Sequence, residues 1–216
     1  MAWDRTYQNT PGRTYDPDDP YNLYGEDINE IITLLKTHAS RHGTGGEDPI
    51  TPERTLMAAE GYPLDGSAME AAGPTALANG VYTYGWLFDA DVVETLVFAL
   101  GRIPRRWCAA DPTFNVEWTA ASGSGAVVWQ GELLAVGDNI AYTGSFGTAV
   151  AIAADTLQTA GRCHLTQESA ALTSFPNAAA GLPAFFKLSR LATSGSDTLA
   201  VDAEFRSAHL SFGTVV

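Results

Sequence analysis

The stretch TFNVEWTA, residues 113–120, sets Phe114, Val116 and Trp118 against Asn115, Glu117 and Thr119 in strict alternation. Side chains of an extended chain point to opposite faces in turn, so this is a strand with one apolar and one polar face. PAFFKLSRLA (183–192) opposes Phe186, Leu188 and Arg190 to Phe185, Lys187, Ser189 and Leu191, the mixed pattern of a strand covered on both sides. Outward from these, VYTYGWLF (81–88), VETLVFALG (93–101), AVVWQGELLAV (126–136), GTAVAIAA (147–154), GRCHLTQES (161–169) and LAVDAEFRSAHLSF (199–212) read as further strands. The pieces AADP, ASGSG, VGDN, FPNAAAG and TSGSD between them are turns. Their spacing leaves no room for crossover helices. Residues 77–216 are therefore expected to form an antiparallel, jelly-roll-like β-sandwich in a mostly-β chain.

The front of the chain has another character. Residues 1–25, MAWDRTYQNTPGRTYDPDDPYNLYG, show neither helical nor strand period, and their Pro and Asp block both elements. Disordered tails are poor in aromatics, whereas this one carries Trp3, Tyr7, Tyr15, Tyr21 and Tyr24. These are expected to anchor an extended attachment arm on a partner surface. Over 26–37, EDINEIITLLKT, the spacing predicts a short helix, with acidic residues at its start and Lys36 near its end. Ile28, Ile31, Ile32 and Leu35 form its apolar stripe. About three turns are unstable alone, so the stripe is expected to bury against copies of itself about a symmetry axis. His38 and His42 follow at the helix end and are expected to join the stripe in that self-packing, and glycines and prolines to residue 55 make a turn region. Residues 56–76, rich in Ala, Gly and Pro, read as a spacer.

Charge excludes some functions. Basic residues number 12 against 25 acidic, a formal net charge of −13, and no basic face emerges for nucleic acid. No apolar run is long enough to span a membrane, and MAWDRTYQNT lacks the pattern of a signal peptide. Charged residues are only 17% of the chain, which suits a domain hiding part of its surface in an assembly. Cys108 and Cys163 make no disulfide framework and read as buried free thiols.

The search for chemistry is negative. His38 and His42 are separated by ASR, which is not the zinc-protease arrangement, and two ligands are too few for zinc within one chain. No GxSxG elbow occurs. Adjacent Cys163 and His164 in a strand face opposite sides and cannot act as nucleophile and base. Asp89, Asp91, Glu117 and Glu132 are candidate glycosidase carboxylates with no spacing that selects them. Asp138, Asp155, Asp197 and Asp202 suit caps and Asx-turns better than calcium. No enzyme, cofactor or metal is expected. Trp86, Trp107, Trp118 and Trp129 read as core before sugar-stacking platforms.

Two sets of residues resemble tailed-bacteriophage small fibre and appendage proteins. In GEDINEIITLLKTHASRHGTGGEDPITP (25–52), His38, His42, Gly45, Gly46, Asp48 and Ile50 match an N-proximal motif of such proteins. In the rear, Trp118, Trp129, Arg190, Asp197, Thr198 and Leu199 match their C-terminal β-sandwich. The resemblance implies a homotrimeric virion structural protein, assembled in the host cytoplasm. Its N-terminus would attach it to capsid, neck, tail or baseplate proteins, and its sandwich would be displayed outward. It departs from long fibres in having no shaft repeat between 56 and 76. The alternative expectation is a carbohydrate-binding or adhesin module contacting host-surface glycans.

Overall fold

A computed structural model describes residues 33–34, 36, 53–64, 69–76, 82–104, 111–138 and 144–212. The chain divides into two units, residues 1–50 with Val216 and residues 51–215. In the first, Thr33, Leu34 and Lys36 are helical, inside the helix expected over 26–37. The stripe residues Ile28, Ile31, Ile32 and Leu35, the pair His38 and His42, and the arm residues Trp3, Tyr7, Tyr15, Tyr21 and Tyr24 lie outside the described residues.

Among the described residues, the second unit is β-structure with one short 3₁₀ turn, η1 (Ala58–Glu60). A sheet of six strands contains β1 (Glu53–Met57), β3 (Glu70–Ala76), β4 (Tyr82–Phe88), β6 (Thr113–Thr119), β11 (His164–Leu165) and β13 (Ala203–Ser211). Its order is β11-β6-β13-β4-β3, with β1 also on β13. A sheet of five strands contains β2 (Gly61–Pro63), β5 (Glu94–Arg102), β8 (Trp129–Ala135), β9 (Val150–Ala151) and β12 (Pro183–Arg190). Its order is β2-β5-β12-β8-β9, while β7 (Ala126–Val127) pairs with β10 (Asp155–Thr156). All the pairings are antiparallel. The expected mostly-β architecture is thus present as two packed antiparallel sheets, neither of them closed into a barrel.

The sandwich starts earlier than residue 77. β1, β2 and β3 come from the segments read as turn region and spacer, yet they pair with β13, β5 and β4. β1 escapes a sequence reading because only Leu56 of its five residues is buried and its partner lies far along the chain. β3 contains Pro74, which a strand tolerates at a sheet edge, and its register shifts between Ala72 and Thr75.

The alternation at 113–119 and 183–190 survives intact, with Phe114, Val116, Trp118, Phe186 and Leu188 buried in the shared core. Aromatic rings join the two sheets: Phe205 lies 5.7 Å from Phe98 and 6.2 Å from Trp129, centroid to centroid. Gly131 allows the closest approach. A Cβ there would sit 2.6 Å from Phe114 Cε1 and 2.8 Å from Phe186 Cε2, so ring edges from both sheets occupy the place of a side chain.

β13 is not one regular strand. Phe205 pairs with Trp118 and Ser207 with the next residue, Glu117, so Arg206 is an extra residue, a β-bulge. The bulge changes the parity of the buried set from Ala203 and Phe205 to Ala208, Leu210 and Phe212. On one side of β13, β4 covers residues 203–205 and β1 covers 207–211, so their junction falls at the bulge.

Arg190 is fully buried at the end of β12. Its Nε and Nη2 donate to Asp197 Oδ2 and Oδ1 at 3.1 and 2.8 Å. Nη1 donates to the Phe88 and Val201 carbonyls at 3.0 and 2.9 Å, and Nη2 also to Leu199 O at 2.6 Å. All five guanidinium donors are thereby used. Asp197 Oδ2 also accepts the Val128 N–H at 3.0 Å, and Thr198 Oγ1 accepts that of Ala126 at 2.9 Å. The Arg190…Asp197-Thr198-Leu199 motif is therefore a structural knot between β12, the end of β4 and the approach to β13.

Near it, burial pushes the Glu94 carboxyl above its ordinary value, Asp89 and Asp202 add repulsion, and a hydrogen bond from the Asp89 N–H (2.7 Å) opposes the rise. A carboxyl raised in the folded state contributes stability that is complete below its unfolded value, about 4.3, and is lost as pH rises through the folded value. Glu94→Gln keeps an acceptor for Asp89 and removes the ionisation. Its stability relative to wild type is expected to improve from pH 4 to pH 7 in urea titrations; a relative decline over that range contradicts the assignment.

Candidate functional site

Most chemically capable residues are committed to structure. Trp118 and Trp129 are fully buried, and Trp118 Nε1 donates to Asp155 at 2.7 Å. Trp86 donates to Ala58 O at 2.8 Å, fastening η1 over β4. Trp107 and Cys108 lie outside the described residues. The candidate carboxylates do not converge. Glu117 lies on the outer face of the six-stranded sheet and Glu132 on that of the five-stranded sheet, paired there with Lys187 at 2.6 Å. Asp89 makes an Asx-turn, accepting the Asp91 and Val92 N–H groups. Among the described residues, no three His, Cys, Asp or Glu gather to hold a metal ion.

One polar ladder has the order of a catalytic triad. Thr55 Oγ1 is 3.3 Å from His209 Nδ1, and His209 Nε2 is 3.2 Å from Glu53 Oε2. Thr55 and His209 are cross-strand partners of β1 and β13, exposed on the sheet. They line neither of the two cavities described below.

The concave surface lies at the bulge. Met57 and η1 form one wall of a cavity of about 410 Å³, with Tyr84 beside them. Glu117, Thr119, Arg206 and the turn Gly161–Cys163 complete it. That volume falls within the range of about 300–1,000 Å³ usual for small-molecule sites. The lining follows from the pairing: Glu117 and Thr119 are the polar face of β6, Arg206 is the bulge residue, and η1 fills the step between β1 and β4. Tyr84 is 56% exposed, which leaves its ring open to a ligand.

The cavity's polar groups differ in what they have free. Glu117 accepts from Ser207 Oγ at 2.8 Å and from Cys163 Sγ at 3.3 Å. Arg206 Nη2 is 2.9 Å from Glu204 Oε1. Thr119 is almost wholly buried, and its hydroxyl has no hydrogen-bond partner among the described residues. Cys163 is an exposed free thiol rather than the buried one expected, and partial burial with the Glu117 carboxylate beside it raises its pKa. His164 faces the other way, as its strand position requires, with its ring 5.1 Å from that of Trp118. A second cavity of about 190 Å³ shares Arg162 and Cys163 with the first and adds Asp155, Gln158 and Thr159.

The sequence selected none of this as a site. Tyr84 read only as a strand residue, and Glu117 as one of four carboxylates that no spacing selected. The one available signal was the parity change from Ala203 and Phe205 to Ala208 and Leu210, which marks a bulge.

No protein-family model matches the chain, and no curated protein matches it. Among solved structures, the xylan-binding domain CBM22-1 of Paenibacillus barcinonensis Xyn10C is similar over 76% of this chain and 95% of its own, at 9% identity and a TM-score of 0.42. The CBM22-1–GH10 modules of Clostridium thermocellum xylanase Xyn10B, complexed with xylohexaose, are similar over 77% of this chain at 11% identity and a TM-score of 0.41. This chain spans only 28% of that one. The enzymatically active domain of bacteriophage CBA120 tailspike protein 4 is similar over 78% of this chain and 20% of its own, at 7% identity and a TM-score of 0.36.

Proposed function

We propose that residues 51–215 are a non-enzymatic binding module and that its ligand is a carbohydrate. The cavity at the bulge carries this reading. A half-exposed tyrosine offers an apolar face for a sugar ring, and Glu117, Arg162 and Arg206 surround it with hydrogen-bonding groups. A sugar presents those two kinds of surface together, an apolar ring face and a rim of hydroxyls. Binding on an array of neutral and acidic glycans tests it. The wild-type chain is expected to retain at least one glycan class, and Tyr84→Ala to weaken it about tenfold, roughly 1.4 kcal/mol of ring contact. Since Tyr84 is exposed, the variant keeps its fold. Absence of binding across the array rules out a carbohydrate ligand.

A second reading, a homotrimeric virion appendage held by residues 1–25, is favoured by the two motif sets at 25–52 and at Arg190…Asp197-Thr198-Leu199. The two readings are compatible, since a displayed module that binds glycans is an adhesin. Sedimentation of the full chain at three times 22.9 kDa is the expected result, and a monomer mass removes the trimer.

A further inference from the structure

We infer that the saccharide is acidic and that Arg162 holds its carboxylate. This rests on the carbohydrate reading of the cavity and adds the charge of the ligand. The cavities' carboxylates already hold donors: Glu117 accepts from Ser207 and Cys163, and Asp155 accepts from Trp118. The Arg206 guanidinium is engaged with Glu204. Arg162 differs. Among the described residues its guanidinium has no hydrogen bond and no ion pair, and it lines both cavities. Five unspent donors in a planar fork match an acceptor with two coplanar oxygens, which a sugar carboxylate supplies and a neutral hydroxyl does not.

The backbone at Arg162 is held in advance. Gly161 takes φ +71°, which a residue with a side chain rarely adopts, and its N–H donates to Ala120 O at 2.7 Å. The Arg162 N–H donates to Thr159 O at 3.3 Å, and the next residues anchor through Cys163 on Glu117 and His164 on Trp118. The turn that carries the guanidinium is therefore tied at both ends, which lowers the ordering cost of binding. The net charge of −13 opposes an anionic ligand only weakly. At physiological salt, exposed charges more than about 8 Å away are largely screened.

Cys163 supplies a reporter at the same wall. In a Cys108→Ser background, alkylation of Cys163 by a maleimide is followed with and without the best-bound acidic glycan from the array, and with the same glycan after its carboxyl groups are reduced to hydroxymethyl. The acidic glycan is expected to slow alkylation. Carboxyl reduction and Arg162→Gln are each expected to weaken binding roughly tenfold to hundredfold, the range of a hydrogen bond to a charged group, and Arg162→Lys to restore only part. Equal binding of the native and reduced glycans, or unchanged binding by Arg162→Gln, overturns this inference and leaves the carbohydrate reading standing. Preference for neutral glycans on the array does the same. No binding to any glycan overturns both.

Discussion

Arg190→Met is expected to destabilise the 51–215 unit by about 3–5 kcal/mol, the cost of breaking a buried ion pair by removing one partner. The lost side chain strands the Asp197 carboxylate, whose own side chain is only 1% exposed, together with the carbonyls of Phe88, Leu199 and Val201. At about 2–4 °C per kcal/mol for a unit of this size, the melting temperature should fall by roughly 6–20 °C. Lysine is not a conservative replacement, because three donors on a point charge cannot serve a carboxylate and three carbonyls placed for a planar fork. Replacing both partners, Arg190→Met with Asp197→Leu, should recover part of the loss. The three carbonyls remain unpaired, and each costs about 1–3 kcal/mol when buried without a partner. Urea titration of the single and double variants measures this. A loss below about 1 kcal/mol in the single variant would mean that the knot does not hold the sheets together.

Phe205→Ala is expected to cost about 3–5 kcal/mol. The ring is fully buried and meets Phe88, Phe98 and Trp129, with centroids 6.3, 5.7 and 6.2 Å away. These neighbours belong to β4, β5 and β8, so the cavity left behind is walled by both sheets and cannot collapse by moving one strand. Phe205→Leu retains most of the volume and should cost about 1.5 kcal/mol or less. Equal losses for the two variants, measured by the same titration, would show that the cavity is not the cause.

The sheet faces were legible because alternation reports burial directly. Phe114, Val116 and Trp118 announce an inner face, and Arg190 sits at an inner position of its own strand's alternation. What the alternation could not report was Arg190's partners, which lie on other strands and in a loop. β1 was invisible for a related reason: one buried leucine in five residues carries no period, and its strand character exists only beside β13. β9 and β11 are two-residue strands inside longer segments read as single strands, since a pattern cannot show where pairing stops, and β10 lies between two such segments. The cavity depends on three segments distant in sequence, η1, the β6 face and the 161–163 turn, meeting at one irregularity. Composition and motif spacing contain no trace of such a meeting. The resemblance did pick out Arg190, Asp197, Thr198 and Leu199, and in the structure these residues build the fold rather than a binding surface.

The extra residue at Arg206 also bears on how the chain finds its pairing. A uniform strand can slide by two residues along its neighbours and still present its apolar side chains inward, so mispaired forms compete closely with the native one. β13 cannot slide in this way. It serves three neighbours, and the phase of its apolar residues reverses at one point. Any shift moves that reversal away from the step between β1 and β4 and turns a stretch of the strand inside out against β6. The same kink that opens a cavity on the surface therefore acts as a keyway, admitting one alignment of the central strand and rejecting its near copies.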